Sequence, residues 1–190
     1  WLDKWASFLN YTRKNYGNNI YGSIDQDVWR RDISCNALFY DPKKEIIIDY
    51  VRGYKDIQNK VIKIIGSPQK RFDQDPVRML RVIRFSAKLG FTIDKETHLL
   101  LNTQLGKLKT VSPDRLLIEV VKLFYQGHGV VSWRYVCKYN VLNVLFKGYR
   151  FLGKRFDGYQ NFIQAALNST DNRFYKDRKL STGFLFAVLL

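Results

Sequence analysis

Apolar residues change their rhythm once along this chain. Over residues 20 to 66 they gather in short β-branched runs, Glu45-Ile46-Ile47-Ile48-Asp49-Tyr50-Val51 and Lys60-Val61-Ile62-Lys63-Ile64-Ile65, each bounded by glycine, proline or polar residues. Runs of that length and composition suit strands. Beyond residue 74 the spacing becomes helical. Asp75-Pro76 offers a capping carboxylate and a proline suited to the first helical position, and Gly90 sits where a left-handed glycine closes a helix, which predicts a helix over 76–89. Asp94 caps a second helix running toward Leu108, and Ser112-Pro113 repeats the signature before a third that stops near Gly127. Further helical patterns cover Trp133 to Tyr139, Gly158 to Asn168 and Thr182 to Leu190. The expected architecture is α+β, a small piece with short strands followed by an all-helical piece, joined near residues 66 to 74.

A chain of 190 residues with 46% hydrophobic content is long enough to bury a core, which excludes intrinsic disorder. No uninterrupted apolar run reaches ~18 residues, so no spanning helix is expected. The longest candidate is Phe184 to Leu190. Two cysteines, Cys35 and Cys137, stand far apart without a signal segment; they argue against a disulfide or zinc framework and for a reduced, cytoplasmic setting. Lys+Arg 32 against Asp+Glu 17 gives +15, a field that attracts phosphate polyanions and points to nucleic acid or nucleotide. The chain opens on Trp1 and closes within an apolar stretch, and we read it as a piece of something longer.

Two constellations could carry chemistry. Asp27-Val28-Trp29-Arg30-Arg31-Asp32-Ile33-Ser34-Cys35-Asn36 places two arginines and an acid together at an expected helix start, which would put Arg31 beside Ser34 and Asp32 beside Asn36. A guanidinium fork suits phosphate oxygens, and a carboxylate with a nearby amide suits ribose hydroxyls or a metal. The competing reading is a helix-terminal carboxylate with solvated arginines. In the second, Asp75, Arg78, Arg81 and Arg84 recur every third residue, a stripe that winds round a helix packed on more than one side. Three arginines in that setting need anionic partners. An Asp–Arg pair could read a base edge while the later arginines hold a triphosphate, or the helix could be laced to acidic neighbours; spacing alone leaves both open. Asp25-x-Asp27 abuts the arginines and Asp73-x-Asp75 spends an acid on a cap, so neither is taken as a metal pair. His98 and His128 read as surface residues, Cys35 as core, and Tyr125, Trp133, Tyr135 and Tyr139 as core aromatics rather than stacking platforms.

Taken in order, Arg30-Arg31-Asp32-(x)3-Asn36-Ala37-Leu38-Phe39-Tyr40, Ile48-Asp49-Tyr50-Val51-Arg52-Gly53-(x)2-Asp56 and Ile64-Ile65-Gly66-Ser67-Pro68-(x)2-Arg71-Phe72-(x)2-Asp75-Pro76-Val77-Arg78-Met79-Leu80-Arg81 resemble the class II nucleotidyltransferases, which include bacterial poly(A) polymerases and tRNA CCA-adding enzymes. Gly22-Ser23-Ile24, Gly127-His128-Gly129 and Asn168-Ser169-Thr170-Asp171-Asn172-Arg173 are similar to the poly(A) polymerase branch. The resemblance implies a remnant of a nucleotidyltransferase head over 1–66, a helical neck binding nucleotide and RNA over 67–127, and the start of a helical body over 128–190, with a hinge from Asp49 to Lys63. It implies Mg²⁺-dependent transfer of AMP from ATP to RNA 3′ ends by a monomer, with Asp32 as the catalytic acidic residue near sugar and metals. Arg31 and Asn36 would lie on the nucleotide, Asp75 and Arg78 would read the base, and Arg81 and Arg84 would make further nucleotide contacts. The family's Gly-rich turn and Asp-x-Asp metal pair are not among these motifs. No metal ligands are therefore assigned here, and the chain by itself is expected not to catalyse. It also departs from the family pattern at Gln74, where glutamate is usual, and at Arg52, where glycine is.

Overall fold

The computed structural model describes residues 23–146 and 156–189. Gly22, residues 1–19 and Leu190, which figure in the sequence reading, lie outside them. Helix α1 (Ile24–Arg30) is capped by Ser23, whose hydroxyl accepts from the Gln26 amide at 3.4 Å, and carries Asp25 and Asp27 in its first turn, where the helix dipole favours acids. It stops at Arg30. The Arg-Arg-Asp motif therefore lies at a helix end, not at the start expected. The cause is Ile33, 1% exposed, which bridges antiparallel to Ile64 and is drawn into the core. On either side Ser34 N donates to Lys63 O at 3.0 Å and Ile65 N to Asp32 O at 3.1 Å. A helix continued through residue 36 would break all three contacts.

After a 3₁₀ turn at Ser34–Asn36 come β1 (Leu38–Asp41) and β2 (Ile46–Asp49), an antiparallel hairpin with Leu38 opposite Asp49 and Asp41 opposite Ile46. The Asp49 carboxylate then gathers the amides of Val51, Gly53 and Tyr54 at 3.0–3.1 Å. Burial pushes its pKa up, but the amides of Tyr54, Gly53 and Val51 outweigh this and hold it below the usual carboxylate range. Arg52 adopts the left-handed conformation, φ 62°, to start α2 (Gly53–Gln58). Glycine is needed next to it. A Cβ on Gly53 would stand 2.2 Å from the carbonyl oxygen of Ser34, and Ser34 Oγ itself donates to Asp56 at 2.6 Å.

Strands β3 (Val61–Ile62) and β4 (Thr92–Ile93) pair in parallel, Val61 with Thr92 and Ile62 with Ile93. The crossover between them is two helices, α3 (Pro68–Gln74) and α4 (Val77–Leu89). Asp75 at the joint is extended and its carboxylate accepts from Val77 N at 3.3 Å, so it does cap α4, one residue later than the sequence predicts. Gly90 closes α4 in the left-handed conformation, as expected. Then follow α5 (Lys95–Gln104), tighter 3₁₀ turns over Leu105–Thr110 where a continuous helix was expected, α6 (Pro113–Phe124), α7 (Gly129–Lys138), α8 (Val141–Leu145), α9 (Phe156–Tyr175) and α10 (Thr182–Leu189). One contiguous core runs from Ile33 through Phe72, Leu80, Phe124 and Trp133 to Leu189, and α4 buries Met79, Leu80, Val82 and Ile83 in it. Trp133 and Tyr139 are buried there, with Tyr125 and Tyr135 packed against it, as predicted for core aromatics. No helix among the described residues is long and apolar enough to cross a membrane.

The Gly127-His128-Gly129 turn is where α9 docks. Asp171 of α9 is buried and accepts from Gly129 N at 2.8 Å and Val130 N at 3.2 Å, capping α7 from another helix. Tyr175 Oη donates to Gly127 O at 2.9 Å. His128 is not the surface residue expected: it is 8% exposed, with Nδ1 on Gln126 O at 2.8 Å and Nε2 buried without a partner. Burial holds its pKa below the ordinary imidazole value, although the Gln126 carbonyl and Asp171 oppose this.

Two measurements check this account. Gly53→Ala should cost about 1–3 kcal/mol in chemical denaturation, because backbone has to move to admit the methyl group. For His128, the unfolded imidazole takes a proton below about pH 6.5 while the folded one resists it, so stability falls as pH drops through that region. His128→Gln should flatten the stability profile between about pH 6.5 and 5.

Candidate functional site

The carboxylate of Asp32 is the point where the strand-bearing part meets the helices. The Ile33–Ile64 bridge fixes its backbone, and its side chain turns toward α3 and α4. Arg78 Nε donates to Oδ1 at 2.6 Å and Arg81 Nη1 to Oδ2 at 2.6 Å, two positions of α4 that share a face because they are three residues apart. Arg71 Nη2 stands 3.5 Å from Oδ1 and also donates to the carbonyls of Arg30, at 3.3 Å, and Arg31, so it satisfies the open end of α1. Arg78 Nη1 reaches Arg71 O at 3.0 Å and Gln74 Oε1 at 3.3 Å.

A second acid continues the series. Glu119 of α6, 4% exposed, stands 3.4 Å from Arg81 Nε, 3.6 Å from Arg84 Nε and 3.2 Å from Lys122 Nζ. Arg84 Nη1 also donates to Gln126 at 3.2 Å. The α4 stripe is thus laced to acidic neighbours, as one of the two sequence readings held. The lacing is incomplete. Five cations meet two carboxylates, and the Nε groups of Arg71, Arg81 and Arg84 are buried without hydrogen-bond partners. Burial, and the proximity of Arg78, lower the basicity of Arg71; burial lowers that of Arg84, with Arg81 adding to it and Glu119 opposing it. For Arg81 burial acts in the same sense but is outweighed by Asp32 and Glu119, which raise its pKa. Arginine remains charged throughout. Such a cluster gains from an added anion, and planar forks match the oxygens of phosphate.

The remaining candidates are engaged elsewhere. Arg31 pairs with Asp27 at 2.9 Å, donates to the backbone carbonyl of Asn36 at 2.6 Å and lies 4.8 Å over the Phe39 ring. It is not on the Asp32 carboxylate, and Asn36 meets it through the main chain. Asp75 uses one oxygen to cap α4 and the other on Arg115 of α6 at 2.9 Å, so Asp75 and Arg78, the expected base-reading pair, have separate partners. Sequence reasoning missed Arg71 and Arg115 as participants and Glu119 altogether. Glu119 had a signal: it is the acid on the apolar stripe Leu116, Val120, Leu123 of α6, a position that costs energy unless a cation faces it. The Mg²⁺ implied by the resemblance does not fit here. Both oxygens of Asp32 are taken by guanidinium groups, and among the described residues no three His, Cys, Asp or Glu side chains gather as a metal site would require.

Residues 3–63 match the Poly A polymerase head domain, and residues 90–152 match the probable RNA and SrmB-binding site of polymerase A. Poly(A) polymerase I of Escherichia coli O157:H7 is 37% identical over 174 residues, covering 90% of this chain and 37% of that protein. The CCA-adding enzyme of Bacillus subtilis strain 168 is 41% identical over 107 residues, 56% of this chain and 26% of that protein. A tRNA nucleotidyltransferase solved with a primer tRNA and an incoming ATP analogue superposes with a TM-score of 0.71 at 27% identity, covering 89% of this chain and 50% of that one. The fold is that of the class II nucleotidyltransferases. The chain belongs to that family, the one that holds the bacterial poly(A) polymerases and the CCA-adding enzymes. It spans a little over a third of the length of the poly(A) polymerases it matches.

Removing the buried acid tests the site. Glu119→Gln leaves Arg81 and Arg84 short of an anion and should cost about 2–4 kcal/mol in denaturant titration. Added inorganic pyrophosphate should restore part of that loss by occupying the uncovered guanidinium groups.

Proposed function

We propose that this chain carries the nucleotide-holding part of an RNA 3′-end adenylyltransferase. In that reaction an RNA 3′ hydroxyl attacks the α-phosphate of ATP, a new phosphodiester forms, the bond to the β-phosphate breaks, pyrophosphate leaves with its charge, and the hydroxyl proton passes to solvent. The observation that carries the proposal is the arginine series on Asp32 and Glu119, whose surplus of positive charge suits a triphosphate. Arg78, Arg81 and Arg84 hold the nucleotide, with Asp32 as the positioning residue that sets the first two. Arg31 and Asn36 flank the sugar and Asp75 faces the base once Arg115 yields it. In this reading residues 1–66 belong to a catalytic head, 67–127 to a neck and 128–190 to a body, acting as a monomer on RNA. Mg²⁺ neutralises phosphate charge in such chemistry, and no step is assigned to it on the residues described here.

The poly(A) branch is favoured because the similarity to poly(A) polymerase I extends over 90% of the chain, against 56% for the CCA-adding enzyme of Bacillus subtilis. That longer match takes in the Gly127–Asp171 docking, which lies toward the chain's C-terminal end. The CCA-adding reading rests on the higher identity within its shorter span. Calorimetric titration of the chain with ATP and with CTP separates the possibilities. We expect ATP to bind and Arg78→Ala to weaken it at least tenfold. Equal binding of ATP by both proteins overturns the assignment and leaves a charge-driven RNA-binding module, while CTP competing on equal terms favours the CCA-adding reading.

A further inference from the structure

Two hollows adjoin at the end of α9 and belong to none of the interactions above. One, of about 330 Å³, is lined by Asn168, Ser169, Asn172, Arg173, Lys176 and Arg178. The other, of about 290 Å³, is lined on its far side by Tyr125, Lys179, Ser181 and Phe184, and shares Ser169 and Arg173 with the first. The first is cationic. Lys176 and Arg178 are exposed and enter none of the ion pairs found among the described residues. Arg173 is held on the shared rim by Nε and Nη2, which donate to Lys179 O at 3.3 and 2.9 Å. Asp171 does not cancel this charge, because its carboxylate is turned inward onto Gly129 and Val130. Asp177 is the one acid on the adjoining loop.

The second hollow is aromatic. Tyr125 Oη donates to Ser181 O and so pins the loop before α10, where Phe184 stands 48% exposed. A cationic hollow beside an aromatic one is the pairing that a single-stranded nucleotide requires, charge for the phosphate and a flat ring for the base. A duplex offers no free base face, so the arrangement selects an unpaired strand. Its position is also informative. Tyr125 directly precedes Gln126, which accepts from Arg84, so one wall of the aromatic hollow is the chain neighbour of a partner of the arginine series.

We propose that the Arg173–Lys176–Arg178 hollow and the Tyr125–Phe184 hollow together form a subsite for one nucleotide of single-stranded RNA, upstream of a 3′ end held near Asp32. The proposal rests on the RNA 3′-end reading above, and its test keeps the two apart. Anisotropy of a 5′-labelled ten-residue oligoadenylate is measured with the full chain, without nucleotide, across a series of KCl concentrations. Lys176→Ala with Arg178→Ala should weaken binding at least fivefold and reduce the slope of log K against log salt by about 0.7 for each phosphate no longer neutralised. Phe184→Ala should weaken binding about tenfold and leave the slope unchanged. Phe184→Tyr, which keeps the ring, should bind as the parent does, and equal melting temperatures show that the variants fold. Lys43→Ala with Lys44→Ala removes the same charge from the β1–β2 turn and should change neither quantity. Equal loss in the two double variants, or full binding by Phe184→Ala, overturns the subsite. A blunt RNA duplex that displaces the oligoadenylate equally well overturns the choice of a single strand. If the parent chain fails to bind the oligoadenylate at all, the RNA 3′-end reading itself falls.

Discussion

The arginine series is organised by one carboxylate, Asp32, accepting from Arg78 and Arg81 with Arg71 alongside. Its backbone belongs to the short-strand region through the Ile65 amide, while its partners belong to α3 and α4. The bond is therefore a tie between two pieces of structure with separate origins in the sequence. A half-buried ion cluster is weak evidence for stability, since desolvation offsets most of the Coulomb gain. What it does is hold guanidinium groups in register. Three arginines close together repel one another, and an acid fixed between them makes that arrangement tolerable while leaving the sum positive.

Glu119 repeats the device one turn further along α4, and the consequence is a graded series. Arg78 is committed to Asp32 and Gln74, Arg81 is shared between two acids, and Arg84 has a longer contact with Glu119, a neutral amide and the face of the Phe85 ring at 4.6 Å. Both departures from the family pattern become physically intelligible here. Gln74 accepts from Arg78 without adding negative charge, so the surplus that suits a triphosphate is preserved. Arg52 occupies a left-handed conformation that glycine adopts without cost, which places strain where the chain turns into α2.

The far end of the chain is fastened by a different principle. Asp171 caps α7 from α9, and the close approach of Gly127 and Gly129 to Tyr175, Phe124 and Asp171 makes that docking possible. Two short motifs some forty residues apart are thus one structural feature. Their joining brings Tyr125 at the end of α6 against the residues that follow α9.

The sequence by itself determined the α+β order, the stop of α4 and its start to within one residue, the cap at Asp94, the aromatic core and the presence of an arginine stripe, because caps, glycines and apolar periodicity act over a few residues. Which acids meet that stripe was decided only by tertiary structure. Asp32 and Glu119 lie 46 and 38 residues from Arg78 and Arg81 respectively, and a pairing over such a distance leaves no local pattern. The same holds for the end of α1 at Arg30, where the helical spacing of Arg31 with Ser34 and of Asp32 with Asn36 lost to the pairing of Ile33 with Ile64. Local propensity is worth tenths of a kcal/mol per residue, whereas burying an isoleucine is worth roughly 1.5–3 kcal/mol. Burial of Ile33 outweighed the helix, and so decided where the arginines and their acid came to rest.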